Sequence, residues 1–281
     1  QAFDVIMLWE FASSITPSVV GGSGVAIFIV NRENVPLGRS TAVVMITAFL
    51  DELFYVLMVP LVLLIVGLDN LFPLSMQKEF FGYMLGAREI FMVGYVFILM
   101  LLSAIWLGIF RFPKAARSLL LKLFSLGFLE RWRKGAEETG NDLVITSAEL
   151  RLKPFSFWWK AFVATFLSWT ARFWVVNFLI LSFTMIDLSL LDHFLIYARQ
   201  LVMWVILLIS PTPGGSGIAE VAFSGFLQEF IAPAGLAISI GVIWRLISYY
   251  PYLLMGAIIL PRWIQRVYLG RKLITFKKPE S

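Results

Sequence analysis

The most constraining feature of this chain is one loop, Ser210-Pro211-Thr212-Pro213-Gly214-Gly215-Ser216-Gly217-Ile218-Ala219-Glu220. It lies between two apolar arms, at roughly 194–209 and 217–230. Two prolines and three glycines cannot continue one helix. Proline lacks the N–H and clashes with the preceding turn, and each glycine costs about 1 kcal/mol. Yet the flanks are membrane-apolar. Non-helical backbone survives at membrane depth only where protein buries it or where it lines a watery cavity. The expectation is a helix that enters the membrane, breaks here and turns back. The plainer alternative is an interfacial loop between two short spans. Each arm is shorter than the roughly 20 residues a span needs.

The loop has a second copy near the start, Pro17-Ser18-Val19-Val20-Gly21-Gly22-Ser23-Gly24-Val25-Ala26. Gly214 minus Gly21 is an offset of 193, and the register holds through Gly-Gly-Ser-Gly-x-Ala. Each copy has proline upstream and a short apolar arm, a turn and a long apolar span downstream. Paired interrupted segments in two halves of a membrane protein point to a transporter-type binding site.

Composition agrees with that reading. Of 281 residues, 59% are hydrophobic and 15% charged, which fits a polytopic helical membrane protein and excludes a soluble or disordered domain. The apolar runs are too continuous for the alternating strands of an outer-membrane barrel. There is no cysteine, which removes disulfides, thiolate metal sites and a cysteine nucleophile. The lone His193 cannot build a multi-histidine metal site. No metal or cofactor is implied. Gly-Gly-Ser-Gly lacks the lysine of a phosphate-binding P-loop. The net charge of +5 needs no nucleic acid to explain it, because the basic residues fall in loops. Gln1 is not an initiator methionine, so an upstream piece is expected to be missing.

The spans are read at about 41–66, 89–110, 158–183 and 235–260, with re-entrant arms at 4–16 and 24–31 and again at 194–209 and 217–230. Residues 67–88 read as a mixed loop. This gives a first half at 1–110, a connector at 111–157, a second half at 158–260 and a basic tail at 261–281. In the connector, Lys114 to Phe128 alternates basic and leucine-rich faces, as an interfacial helix does, and Glu130 to Lys153 is a charged linker. Residues 111–160 hold ten Lys/Arg and the tail 262–281 six, whereas the turn 184–192 has none and two Asp. The positive-inside rule then makes the connector and tail cytoplasmic in a bacterial inner membrane. Three spans separate the two hairpins, and an odd number inverts the second relative to the first. The expected fold class is an all-α polytopic membrane protein with an inverted repeat of two broken-helix hairpins.

Helix starts carry unpaired N–H groups and partial positive charge, so two of them meeting mid-membrane could hold an anion. The candidate substrate-binding residues are Gly21, Gly22, Gly24, Gly214, Gly215, Ser216, Gly217, Glu220, Arg172, Arg199 and Arg245. The glycines have a plainer role, close helix crossing. Glu220 has one too, since an acid in the first turn complements the dipole. Glu10, Asp51, Glu52 and Arg245 are candidates for an ion pair or gate. An ionisable residue at membrane depth costs roughly 2.5 kcal/mol or more and should face protein or water. Adding 193 to Asp51 and Glu52 lands on Trp244 and Arg245, so the acidic pair is expected to neutralise Arg245 across the pseudo-two-fold axis.

Pro211 to Glu220, the later Trp244-Arg245-Leu246-Ile247 and the earlier loop followed by Asp51 resemble the lysylphosphatidylglycerol synthase transmembrane family, also called flippase-like. The similarity extends over nearly the whole chain. The resemblance implies movement of aminoacylated or other phospholipids between leaflets. The aminoacyl-transferase domain fused in some members is not matched within these 281 residues, so a stand-alone membrane member is the expectation. The leading expectation is a lipid transporter whose polar cavity takes the headgroup. The alternatives are a membrane subunit that presents a lipid to a partner enzyme through 111–157, and a lipid transferase using Glu220 or Asp51 as base. A homo-oligomer is compatible with all three.

Overall fold

The computed structural model describes residues 2–16, 18–73, 77–80, 83–127, 130–231 and 233–269. Among the described residues, five stretches are long and apolar enough to cross a membrane: Leu37–Val66, Ala87–Arg111, Phe155–Phe183, Leu190–Leu208 and Gly235–Tyr268. The chain is a multi-pass helical membrane protein, as its composition requires. One short antiparallel ribbon, β1 (Gln77–Phe80) with β2 (Tyr83–Gly86), interrupts the helices in the stretch read as a mixed loop.

The chain opens with α1 (Ala2–Ile15) and α2 (Ser18–Arg32). Here the structure corrects the sequence reading. Gly21, Gly22 and Gly24 lie inside α2, which begins upstream of them at Ser18. The break falls at Thr16, next to Pro17, which lies outside the described residues. Glycine in a helix costs only about 1 kcal/mol, and tight packing outweighs it. A Cβ on Gly22 would stand 2.3 Å from Ser13 Oγ, so this glycine lets α2 lie against α1.

Helix α3 (Leu37–Val66) has 30 residues and, at about 1.5 Å each, runs about 45 Å, longer than the roughly 30 Å hydrocarbon core. A short α4 (Leu68–Leu71) and the ribbon lead to α5 (Ala87–Trp106), which widens into a π-helical turn at Leu107–Arg111. The connector then forms α6 (Pro113–Leu123) and α7 (Arg133–Arg151), a helical hairpin where a charged linker was expected after residue 130. It packs on the start of α3. A Cβ on Gly38 would stand 2.0 Å from Asp142 Cβ, and Arg39 pairs with Glu149 at 3.0 Å.

Next come α8 (Phe155–Phe183), α9 (Leu190–Leu208), α10 (Ile218–Leu227), α11 (Ala234–Ser248) and α12 (Tyr250–Ile264). Two of these depart from expectation. The arm read at 194–209 is the C-terminal part of a 19-residue helix, long enough by itself to cross. The span read at 235–260 bends at Tyr249 (φ −121°, ψ −54°), because Pro251, the second residue of α12, has no N–H to carry the α11 hydrogen-bond ladder onward. Helix α9 is the centre of the bundle: 61% of its apolar window is buried, against 39% or less for the other spans. Its Ile196 and Leu201 join Phe54 of α3, Phe91 of α5, Ile180 of α8 and Phe223 of α10 in one core.

The two ends of α3 define the two ends of the molecule. At the α3 N-terminal end, Arg266 pairs with Asp4 at 3.2 Å and with Glu33, and Trp263 Nε1 donates to Glu33 at 2.8 Å. This ties the start of α1 and the end of α2 to the end of α12. At the other end, buried Arg199 of α9 donates to Asn70 O of α4 and Phe226 O of α10, and pairs with Glu229 at 2.7 Å. Residues 270–281, and with them most of the basic tail, lie outside the described residues.

Candidate functional site

The loop at 209–217 is not α-helical, as its sequence requires. Pro213–Gly215 is a single 3-10 turn, and α10 restarts at Ile218. Gly214, Gly215 and Gly217 have φ of +56°, +67° and +82°, the left-handed region that glycine enters at no steric cost. Gly214 is doubly constrained, because a Cβ there would stand 2.3 Å from the Tyr249 ring.

Arg245 of α11 organises this loop. Its side chain is 6% exposed. Nη2 donates to Gly214 O at 2.9 Å and to Ser216 Oγ at 3.4 Å, and Nε donates to Glu220 Oε1 at 3.0 Å. Its guanidinium lies 3.9 Å from the Tyr249 ring centroid, a cation–π contact. Glu220 does two jobs: its Oε2 accepts from Gly217 N–H at 2.7 Å, so it also caps α10. The anion position expected at this helix start is therefore filled by the chain's own carboxylate.

The first hairpin reaches the same place. Tyr249 donates its OH to Ser14 O near the tip of α1, at 3.0 Å. One turn back on α1, Glu10 pairs with Arg172 of α8 at 2.6 Å. Arg172 sits 5.1 Å from the Trp169 ring, and Trp169 Nε1 donates to Asp51 Oδ1 of α3 at 2.9 Å. The Arg172 and Glu10 side chains are 39% and 28% exposed, whereas in the other pair Glu220 is 36% exposed and Arg245 only 6%, so both carboxylates reach open space and Arg245 does not.

The expected pairing of Asp51 and Glu52 with Arg245 is not made. Arg245 takes Glu220, 25 residues away on the helix it packs against, and Asp51 takes Trp169. The offset of 193 matched sequence positions but not facing directions. Glu220, in the first turn of α10 just after the loop that Arg245 clamps, is the nearer partner. Glu52 is buried elsewhere in the core. Arg199 belongs to the far end and not to this site. Trp169 and Ser14 were not singled out, and no local pattern marks them.

Comparison with known proteins places the chain. Residues 1–256 match the family described as the lysylphosphatidylglycerol synthase TM region. The chain belongs to that family. A relative from Archaeoglobus fulgidus, described as a UPF0104 membrane protein, is 26% identical over 267 residues, which is 92% of this chain and 74% of that protein. No solved structure matches.

An apolar cavity of about 380 Å³ lies apart from these charges. Phe49 and Leu53 of α3, Trp106 at the end of α5, Phe110, and Trp158 and Phe162 of α8 line it.

Proposed function

We propose that this family member moves an anionic or aminoacylated phospholipid or glycolipid between leaflets, with Arg245 taking the phosphate. Helices α1–α2 and α9–α10 are read as an inverted pair of broken hairpins in an inner membrane. The observation that carries the reading is the meeting at Tyr249. The tip of α1–α2, which opens at one end of the bundle, and the loop after α9, which lies between helices tied at the other end, both touch this side chain. Half-helix ends that meet at a repeat interface are where such transporters bind their substrates. The phosphate competes with Glu220 for Arg245. Displacing Glu220 frees the α10 start, whose N–H groups add to the anion site. Glu10 and Arg172, at the open side, offer charges of both signs to a headgroup such as an aminoacyl ester.

The test is purified full chain in vesicles holding a fluorescent anionic phospholipid, with a membrane-impermeant quencher added outside. Protein-dependent loss of inner-leaflet signal is expected. Vesicles that behave as protein-free ones would leave the presenting-subunit reading. That alternative has its own supporting observation: α6 leaves Leu119 and Leu123 exposed among basic residues, a face free for another surface.

A further inference from the structure

Buried polar side chains that the headgroup site does not use run between α3, α8 and α9. Glu52 is 3% exposed, and among the described residues its Oε2 has no hydrogen-bond partner and no ion pair reaches it. Tyr55, three residues on and on the same face of α3, is 2% exposed, and its OH is likewise without a partner among the described residues. Trp169 packs its ring against Tyr55 at 5.3 Å. Its neighbour Thr170 meets the Tyr197 OH at 3.3 Å, the first rung between α8 and α9. The second rung is Asn177 Oδ1 with His193 Nδ1 at 3.0 Å. Asn177 is fully buried, and its Nδ2 is a third unpartnered atom among the described residues. Thr170 and Asn177 are two turns apart on one side of α8, about 10 Å. His193 and Tyr197 are one turn apart on α9. The track therefore ends near residues 184–192.

Native proteins leave few buried polar atoms unsatisfied, since each costs about 1–3 kcal/mol. Three such atoms on the neighbouring spans α3 and α8 call for an occupant. An unpaired carboxyl in a dry interior takes a proton in place of a counter-ion. Ionisable groups inside membrane bundles mark ion and proton routes. The other charged and titratable groups around Glu52 have partners: Asp51 holds Trp169, Glu10 and Arg172 hold each other, Tyr95 of α5 donates to Val56 O, and Tyr197 meets Thr170.

We propose that Glu52 is a proton-binding site, linked through Tyr55 and the Tyr197–Thr170 and Asn177–His193 rungs to the end of the molecule that carries residues 184–192. Loading forms one O–H bond on Oε2 and gives the neutral acid. Release returns H⁺ along the track and leaves one negative charge beside Asp51, where the Glu10–Arg172 pair feels it. Coupling to lipid movement rests on the transport reading; the proton site does not.

The test is infrared spectroscopy of the full chain in lipid nanodiscs at neutral pH. A protonated-carboxyl C=O band is expected in the native chain, absent in Glu52→Gln and retained in Asp51→Asn. No such band in the native chain, or its survival in Glu52→Gln, overturns the site. Should Glu52→Gln misfold, Glu52→Asp replaces it, and an unshifted band there overturns the site equally. On transfer to D₂O, Tyr197→Phe should slow the isotope shift of the band at least tenfold; an unchanged rate overturns the route. In vesicles, a flipping rate indifferent to a pH gradient overturns coupling. Absence of flipping overturns the transport reading alone, with the infrared result standing apart.

Discussion

At the scale of single residues, Arg245 and Gly214 make one object. A glycine with φ near +56° lets the loop turn under the Tyr249 ring, and its carbonyl then faces the guanidinium. Gly217 has a similar φ but open space where its Cβ would go. Gly217→Ala should therefore lose only the left-handed term, about 1–2 kcal/mol. Gly214→Ala should lose that and the collision with Tyr249 besides, and thermal unfolding in detergent reads the order. A Gly217→Ala loss equal to or larger than that of Gly214→Ala contradicts the packing described. Arg245 and Glu220 should be coupled. Each single alanine variant leaves the other charge without its partner, so the double variant should be less impaired than the sum by about 1 kcal/mol or more. Additive losses would mean the ion pair contributes nothing. The loop was legible in the sequence because Pro and Gly there leave the backbone no helical option. The partner of Arg245 was not, because a 25-residue contact depends on how α10 leans on α11, which no spacing rule carries.

At the scale of elements, the two Gly-Gly-Ser-Gly copies part ways. The second breaks a helix and the first lies within one, because the chain has already turned at Thr16, before the glycines, and Gly22 is needed thin against Ser13. Identical local sequence thus had two structural solutions, chosen by neighbours. The connector shows the same limit. Its polar composition read as linker, yet α7 docks on α3 through the notch at Gly38. The chain has no cysteine, so paired thiols can be placed cleanly. Cysteines at Arg39 and Glu149 should be joined efficiently by a short bifunctional maleimide. Adding Gly38→Val should cut the yield about tenfold, since its side chain would have to occupy the place of Asp142. An undiminished yield would show that α7 is held by something other than this notch.

At the scale of the whole molecule, apolar length and charge asymmetry were enough to give a helical multi-pass protein with the connector and the α3 start at one end. They were not enough to show that α9 is the buried centre, because hydropathy does not distinguish lipid-facing from protein-facing leucine. Orientation remains a charge argument, and it makes a prediction. A single cysteine at Ser118 should resist an impermeant reagent applied to intact cells, while one at Ser189 should react; the reverse pattern would invert the topology. The central claim is that lipid phosphate passes Arg245. Its most direct measurement is the initial flipping rate of a labelled anionic phospholipid in vesicles, for the native chain, Arg245→Ala and Arg39→Ala at matched protein content. The account predicts at least a tenfold loss for Arg245→Ala, which removes a charge-assisted contact worth about 1.5–3 kcal/mol, and a native rate for Arg39→Ala. Equal rates for the native chain and a folded Arg245→Ala would contradict it.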